Sequence, residues 1–238
     1  MMDSPRLRVT ELTARVTRLG DEPSGTVDDW GRDPDLVRTT MHLARIRWDV
    51  AVGGDQHLPR RRGALVVVNT RRFALAPIFA ALALSEAIDR PVRFVGRPDT
   101  APVGAFSRRL GGLLDHPDEV KGALSAGELV VMGADPDTRV GEGHRQLVGR
   151  VDHALVGAAL RAGVPVHPGA TASSPFTRAA RVEVGQASRS PRKRRGPLAE
   201  LELADRVRID IGLLLDEFGD VRTGTALDRL PLSGFGGA

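Results

Sequence analysis

Six histidines, 30 acidic and 34 basic side chains are the groups with which this 238-residue chain could move protons or hold charge. Two histidines stand beside a carboxylate, in Asp115-His116 and Asp152-His153. Adjacent side chains on a helix diverge, so neither pair is a catalytic dyad by sequence alone. The chain has no cysteine, which excludes a thiolate nucleophile, a disulfide framework and a Cys-based zinc site, and fits a reducing interior. His-Glu-x-x-His and Walker A patterns are both absent from the sequence. Gly141-Glu142-Gly143 begins like a dinucleotide fingerprint, but Gln146 stands where the third glycine belongs. No metal or cofactor is expected.

Of the 34 basic residues 32 are arginine, a side chain suited to bidentate contacts with phosphate or carboxylate. The densest cluster, Arg192-Lys193-Arg194-Arg195, lies in a polar stretch between Pro191 and Pro197. Nucleic-acid binding would need aromatic stacking partners, and the chain has two Trp, seven Phe and no Tyr. An anionic lipid surface is the better match. Each basic residue near one contributes on the order of 1 kcal/mol, and Arg60-Arg61-Arg62 would add to the attraction from the same face.

With 41% hydrophobic residues the chain can bury the core of one large domain. The first 20 residues lack an uninterrupted apolar stretch, so they are read as neither secretory signal nor membrane anchor. The longest apolar run, 73–84, contains Pro77 and falls short of the ~20 residues a membrane span needs. Short apolar runs at 64–68, 92–95, 129–132 and 164–166 predict strands covered on both faces, after a first strand at 48–52. Helices are predicted between them at 36–47, 73–87, 103–110, 119–126 and 152–162. This alternation predicts an α/β domain with a largely parallel central sheet flanked by helices. Val182 and Val184 alternate with Arg181 and Glu183 as in an edge strand. A closing helix carries an apolar stripe of Leu201, Ala204, Val207, Ile211, Leu214, Leu215 and Phe218. The domain is expected over 28–218, between a flexible segment at 1–27 and a loose tail at 219–238.

Four segments carry a family resemblance. They are His57-Leu58-Pro59, then Gly63-Ala64-Leu65-Val66-Val67-Val68-Asn69-Thr70, then Gly127-Glu128-Leu129-Val130-Val131-Met132, and last Gly163-Val164-Pro165-Val166-His167-Pro168. In that order they resemble the lysophospholipid (glycerolipid) acyltransferases. Asp29-Trp30-Gly31 and residues 181–185 are similar to flanking segments in a bacterial branch, so the resemblance covers 28–218. It implies a role in phospholipid metabolism, with acyl transfer from an acyl thioester, on CoA or an acyl carrier, to a lysophospholipid or glycerol-phosphate hydroxyl.

In that family Asn-His, four residues and Asp follow a buried strand. The histidine takes the acceptor's proton and the aspartate orients the imidazole. Here Asn69 matches, but Thr70 occupies the histidine position and Leu75 the aspartate position. Five residues beyond the six histidines stand Arg47, Arg62, Lys121, Gly149, Ala158 and Ala172, none of them acidic. The third motif, Phe-Pro-Glu-Gly-Thr-Arg, binds the acceptor's phosphate. Gly133-Ala134-Asp135-Pro136-Asp137-Thr138-Arg139 meets it in one of two registers, and one inserted residue brings Thr138 and Arg139 onto Thr-Arg. The second motif keeps its Leu110-Gly111 turn without a phosphate-binding arginine, whereas the fourth survives in Gly163-Val164-Pro165-Val166-His167-Pro168.

Two readings follow. One is a catalytically impaired homologue that binds lipid or an acyl thioester, or regulates an active enzyme. The other is an active acyltransferase with a different base, His57 or His167. Either is expected in the cytoplasm, weakly peripheral at the inner face of the membrane.

Overall fold

Ala64-Leu65-Val66-Val67-Val68 is fully buried, and this strand is the fourth of seven in one sheet. The computed structural model describes residues 27–70, 75–135, 148–173, 178–190 and 196–217. The expected flexible start and loose tail lie almost wholly outside them. In chain order the elements are α1 (Pro34–Arg47), β1 (Asp49–Gly53), a 3-10 turn (Asp55–His57), β2 (Ala64–Val68), α2 (Ala76–Ala87), β3 (Val92–Val95), α3 (Val103–Arg109) and β4 (Gly112–Leu113). Then come α4 (Pro117–Ser125), β5 (Leu129–Gly133), α5 (His153–Ala162), β6 (Val166–Ser173), β7 (Ala179–Val184) and α6 (Pro197–Glu217).

The sheet order is β1-β7-β6-β2-β5-β3-β4. β6, β2, β5, β3 and β4 run parallel, while β7 is antiparallel to β6 and carries β1 parallel to itself. Alternate residues of the central strands face opposite ways, and each set is buried. Val66, Val68, Leu129 and Val131 meet α1 and α2 on one face, whereas Leu65, Val67, Val130 and Met132 meet α4, α5 and α6 on the other. The predicted class is therefore the observed one: a single α/β domain with a mostly parallel sheet between helices. Among the described residues no helix is long and apolar enough to cross a membrane.

Three details differ from the sequence expectation. The strand expected at 164–166 begins only at Val166, because the Val164 N–H closes onto Ala159 at the end of α5 and Pro165 has no N–H to give. β7 is not an edge strand; β1 covers it from Asp49↔Ala179 onward. Its alternation arises because Val182 and Val184 face the core while Arg181 is exposed and Glu183 half-buried. On α6 the stripe is rotated: Leu203 is buried and Leu201 is 47% exposed.

A buried cation fixes the segment ahead of α1. Arg93, 1% exposed on β3, donates to Asp28 through Nη2 (2.6 Å) and Nη1 (3.3 Å) and to Glu128 through Nε (3.1 Å). Asp28 also accepts from the backbone of Trp30 and Arg32, so one carboxylate shapes the turn and neutralises the guanidinium. Removing an acid partner leaves a buried cation undercompensated, a defect worth about 3–5 kcal/mol. Asp28→Ala is therefore expected to cost on the order of 3 kcal/mol in urea unfolding. Arg93→Met, which frees two partly exposed carboxylates to hydrate, should cost less; the reverse order would refute this account.

Candidate functional site

After β2 the chain crosses one face of the sheet as α2, and after β5 it crosses the other as α5. Neighbouring parallel strands whose connections leave to opposite faces open a crevice at their carboxyl ends, the usual ligand position in open α/β sheets. Asn69 and Thr70 stand there, immediately after β2.

Both are consumed by the backbone around them. Asn69, 5% exposed, donates from Nδ2 to the Thr171 carbonyl (3.1 Å) and accepts the Thr171 N–H at Oδ1 (2.7 Å). Its amide thus extends the β2–β6 ladder by one rung. Thr70, also 5% exposed, donates its hydroxyl to the Ala134 carbonyl just beyond β5. Its methyl lies over Gly133, where a Cβ would come within 2.3 Å of Thr70 Cγ2 and 3.0 Å of Pro77. Leu75 sits at the α2 N-cap with its side chain 62% exposed and lends only its carbonyl, to the Phe79 N–H (2.9 Å). A leucine can neither cap those amides nor orient an imidazole. The side chain at position 70 is present but closed.

His57 and His167 lie lower on the sheet. His57 Nδ1 meets the Val184 carbonyl at 2.9 Å and His167 Nδ1 the Gly185 carbonyl at 3.0 Å. A carbonyl only accepts, so each Nδ1 carries a proton. His167 is 3% exposed, and its Nε2 is buried with no hydrogen-bond partner among the described residues. His167 pairs in register with Val66, three residues short of the Asn69 level, or roughly 10 Å along the strand. The structure therefore gathers the two histidines with each other and not with Thr70.

Thr138 and Arg139 lie outside the described residues, as do Arg192, Lys193, Arg194 and Arg195. The ends of the 136–147 stretch are joined, with the Asp135 N–H on the Arg150 carbonyl (2.7 Å). The sequence reading missed an acidic group on this rim. Burial raises the Asp115 pKa, and Asp152 and Asp135 raise it further. Asp152 is at the same time the N-cap of α5, bonded to the N–H groups of Ala154 and Leu155, which its place before an apolar helix signals. Among the described residues no cluster of three or more acidic or histidine side chains could hold a metal ion.

The seven-stranded, mostly parallel sheet between helices is an α/β fold also found in an acyltransferase of known structure. The solved structure of the 1-acyl-sn-glycerophosphate (LPA) acyltransferase PlsC from Thermotoga maritima is similar, with a TM-score of 0.56 over 77% of this chain and 78% of that chain. At 17% identity the similarity establishes a shared fold. No protein-family model and no curated protein matches the sequence.

One consequence concerns pH. Burial pushes the His167 pKa below its ordinary 6.5, the Gly185 carbonyl raises it in part, and the nearby His57 lowers it again. The unfolded chain thus takes up this proton at higher pH than the folded one. The associated stability is complete above about pH 6.5 and is lost as the pH falls below it. The urea midpoint should drop between pH 7.5 and pH 5, and His167→Gln should flatten that decline; an unchanged slope would count against it.

Proposed function

We propose that this chain is a catalytically impaired relative of the glycerolipid acyltransferases, one that binds lipid or an acyl thioester without transferring the acyl group by base catalysis. The observation that carries the reading is the state of position 70. A buried threonine there gives its hydroxyl proton to the Ala134 carbonyl, with its methyl over Gly133. Its hydroxyl cannot accept a proton near neutral pH, and Leu75 supplies no carboxylate. Loss of general-base catalysis alone costs roughly 10²- to 10⁴-fold in rate.

The second reading, transfer with another base, is favoured by one observation: burial holds the His167 pKa below its ordinary value, and its buried Nε2 has no partner among the described residues. Against it stands the register, which leaves His167 at the level of Val66, below the carboxyl ends of the strands.

Acyl transfer measured with acyl-CoA and lysophosphatidate or glycerol 3-phosphate separates the two. The expected result is retained binding of one of these compounds with no turnover above background. Turnover that disappears in His57→Ala or His167→Ala would establish the second reading instead. For the basic stretch, the expected behaviour is weak association with anionic vesicles that fades as salt is raised and as Arg192, Lys193, Arg194 and Arg195 are changed to Gln. Co-sedimentation measures it, and a salt-independent signal would exclude an electrostatic contact.

A further inference from the structure

Along the outer side of α3 runs a cavity of about 520 Å³, within the range that holds a small molecule. It starts at the loop after β3, two strands from β2, and is bounded by residues 97–101, Val27, Gly31 and the α3 side chains Arg108 and Arg109. Two glycines make the space. At Gly104 a Cβ would come within 2.3 Å of the Pro98 carbonyl, so only glycine lets the 97–101 loop close onto the helix. At Gly31, whose φ is +84°, a Cβ would come within 2.5 Å of Arg108 Nε, so the bare backbone there is what the Arg108 stem lies against.

Three guanidinium groups line this cavity against one lining carboxylate, Asp99. Arg109 is committed to Asp33 at 2.6 Å. Arg97 is not comparably committed. Its side chain is 17% exposed, its nearest ionic partner is Glu119 at 3.6 Å, and its guanidinium makes no hydrogen bond to any described residue. Its Nε–H is buried with no acceptor among the described residues and carries a desolvation cost, which a ligand oxygen reaching it would remove. Arg108 is exposed and likewise makes no side-chain hydrogen bond among the described residues.

From these donors we infer that the cavity binds a phosphate group, borne by a small phosphorylated molecule or by a lipid headgroup. A tetrahedral dianion offers the oxygens that two forked guanidinium groups can engage in bidentate fashion. This site is separate from the crevice at Thr70 and does not depend on acyl transfer.

The test is calorimetric titration and thermal denaturation of the full chain with inorganic phosphate, against chloride at matched ionic strength. Saturable binding with a raised Tm is expected. Arg97→Gln and Arg108→Gln should each weaken it about ten- to hundredfold. Arg108 is exposed, so its variant keeps the fold and the comparison stays valid should Arg97→Gln unfold. Glycerol 3-phosphate in solution and phosphatidylcholine vesicles with and without lysophosphatidate distinguish the two sources; binding in either arm that both variants weaken supports the site. No saturable effect beyond chloride, or equal affinity in Arg108→Gln, would overturn it.

Discussion

The carboxyl end of β2 is tied on both sides, by the Asn69 amide to β6 and by the Thr70 hydroxyl to the chain leaving β5. Each bond contributes only about 1 kcal/mol net, but each replaces a buried polar group that would cost about 1–3 kcal/mol unpaired. The ties also set how the sheet opens. A crevice between β2 and β5 requires their ends to diverge, and Thr70 bridges the place where divergence would start. A Cβ on Gly133 would run into both the Thr70 methyl and Pro77, so the β5 end has no room for a side chain at position 133. An imidazole at position 70 would need a different rotamer, a lost carbonyl bond or a displaced β5 end.

A sheet built from buried strands tells little about its sites but much about its own layout. The runs at 64–68, 92–95 and 129–132 were legible because continuous burial demands continuous apolar sequence. The start of β6 was not, since what delays it is a backbone bond from Val164 to the preceding helix. The position of β7 was not either. Alternation reports one wet face, and it cannot distinguish an edge strand from an inner strand whose outer face lacks a helix. On α6, Leu201 and Leu203 are equally apolar, and only docking against α5 decides which of them faces inward.

At the site the limits are those of distance along the chain. Asn69 was recognisable as a family match, yet its physical work depends on Thr171, 102 residues away. The cavity beside α3 needs Gly31, Gly104 and three arginines from separate segments, each unremarkable alone. Arginine abundance hid the ones that matter. What marks Arg97 is a buried Nε without a hydrogen-bond acceptor among the described residues, and only the folded chain shows that.

Two imidazoles of this fold, His57 and His167, lie on the same sheet as position 70. His57 and His167 bond to the successive carbonyls of Val184 and Gly185. Through them the turn before β2 and the start of β6 are tied to the end of β7. Their Nδ1 protons are spent on those ties, which fixes the orientation of both rings. Position is the obstacle to a catalytic role, because general-base catalysis needs the imidazole within hydrogen-bond reach of the reacting hydroxyl, directly or through one water. A gap of roughly 10 Å from the Asn69 level exceeds that reach. For His167 to act, an acceptor hydroxyl would have to enter beside Val66, in the buried middle of the sheet, where the strands are already paired on both sides.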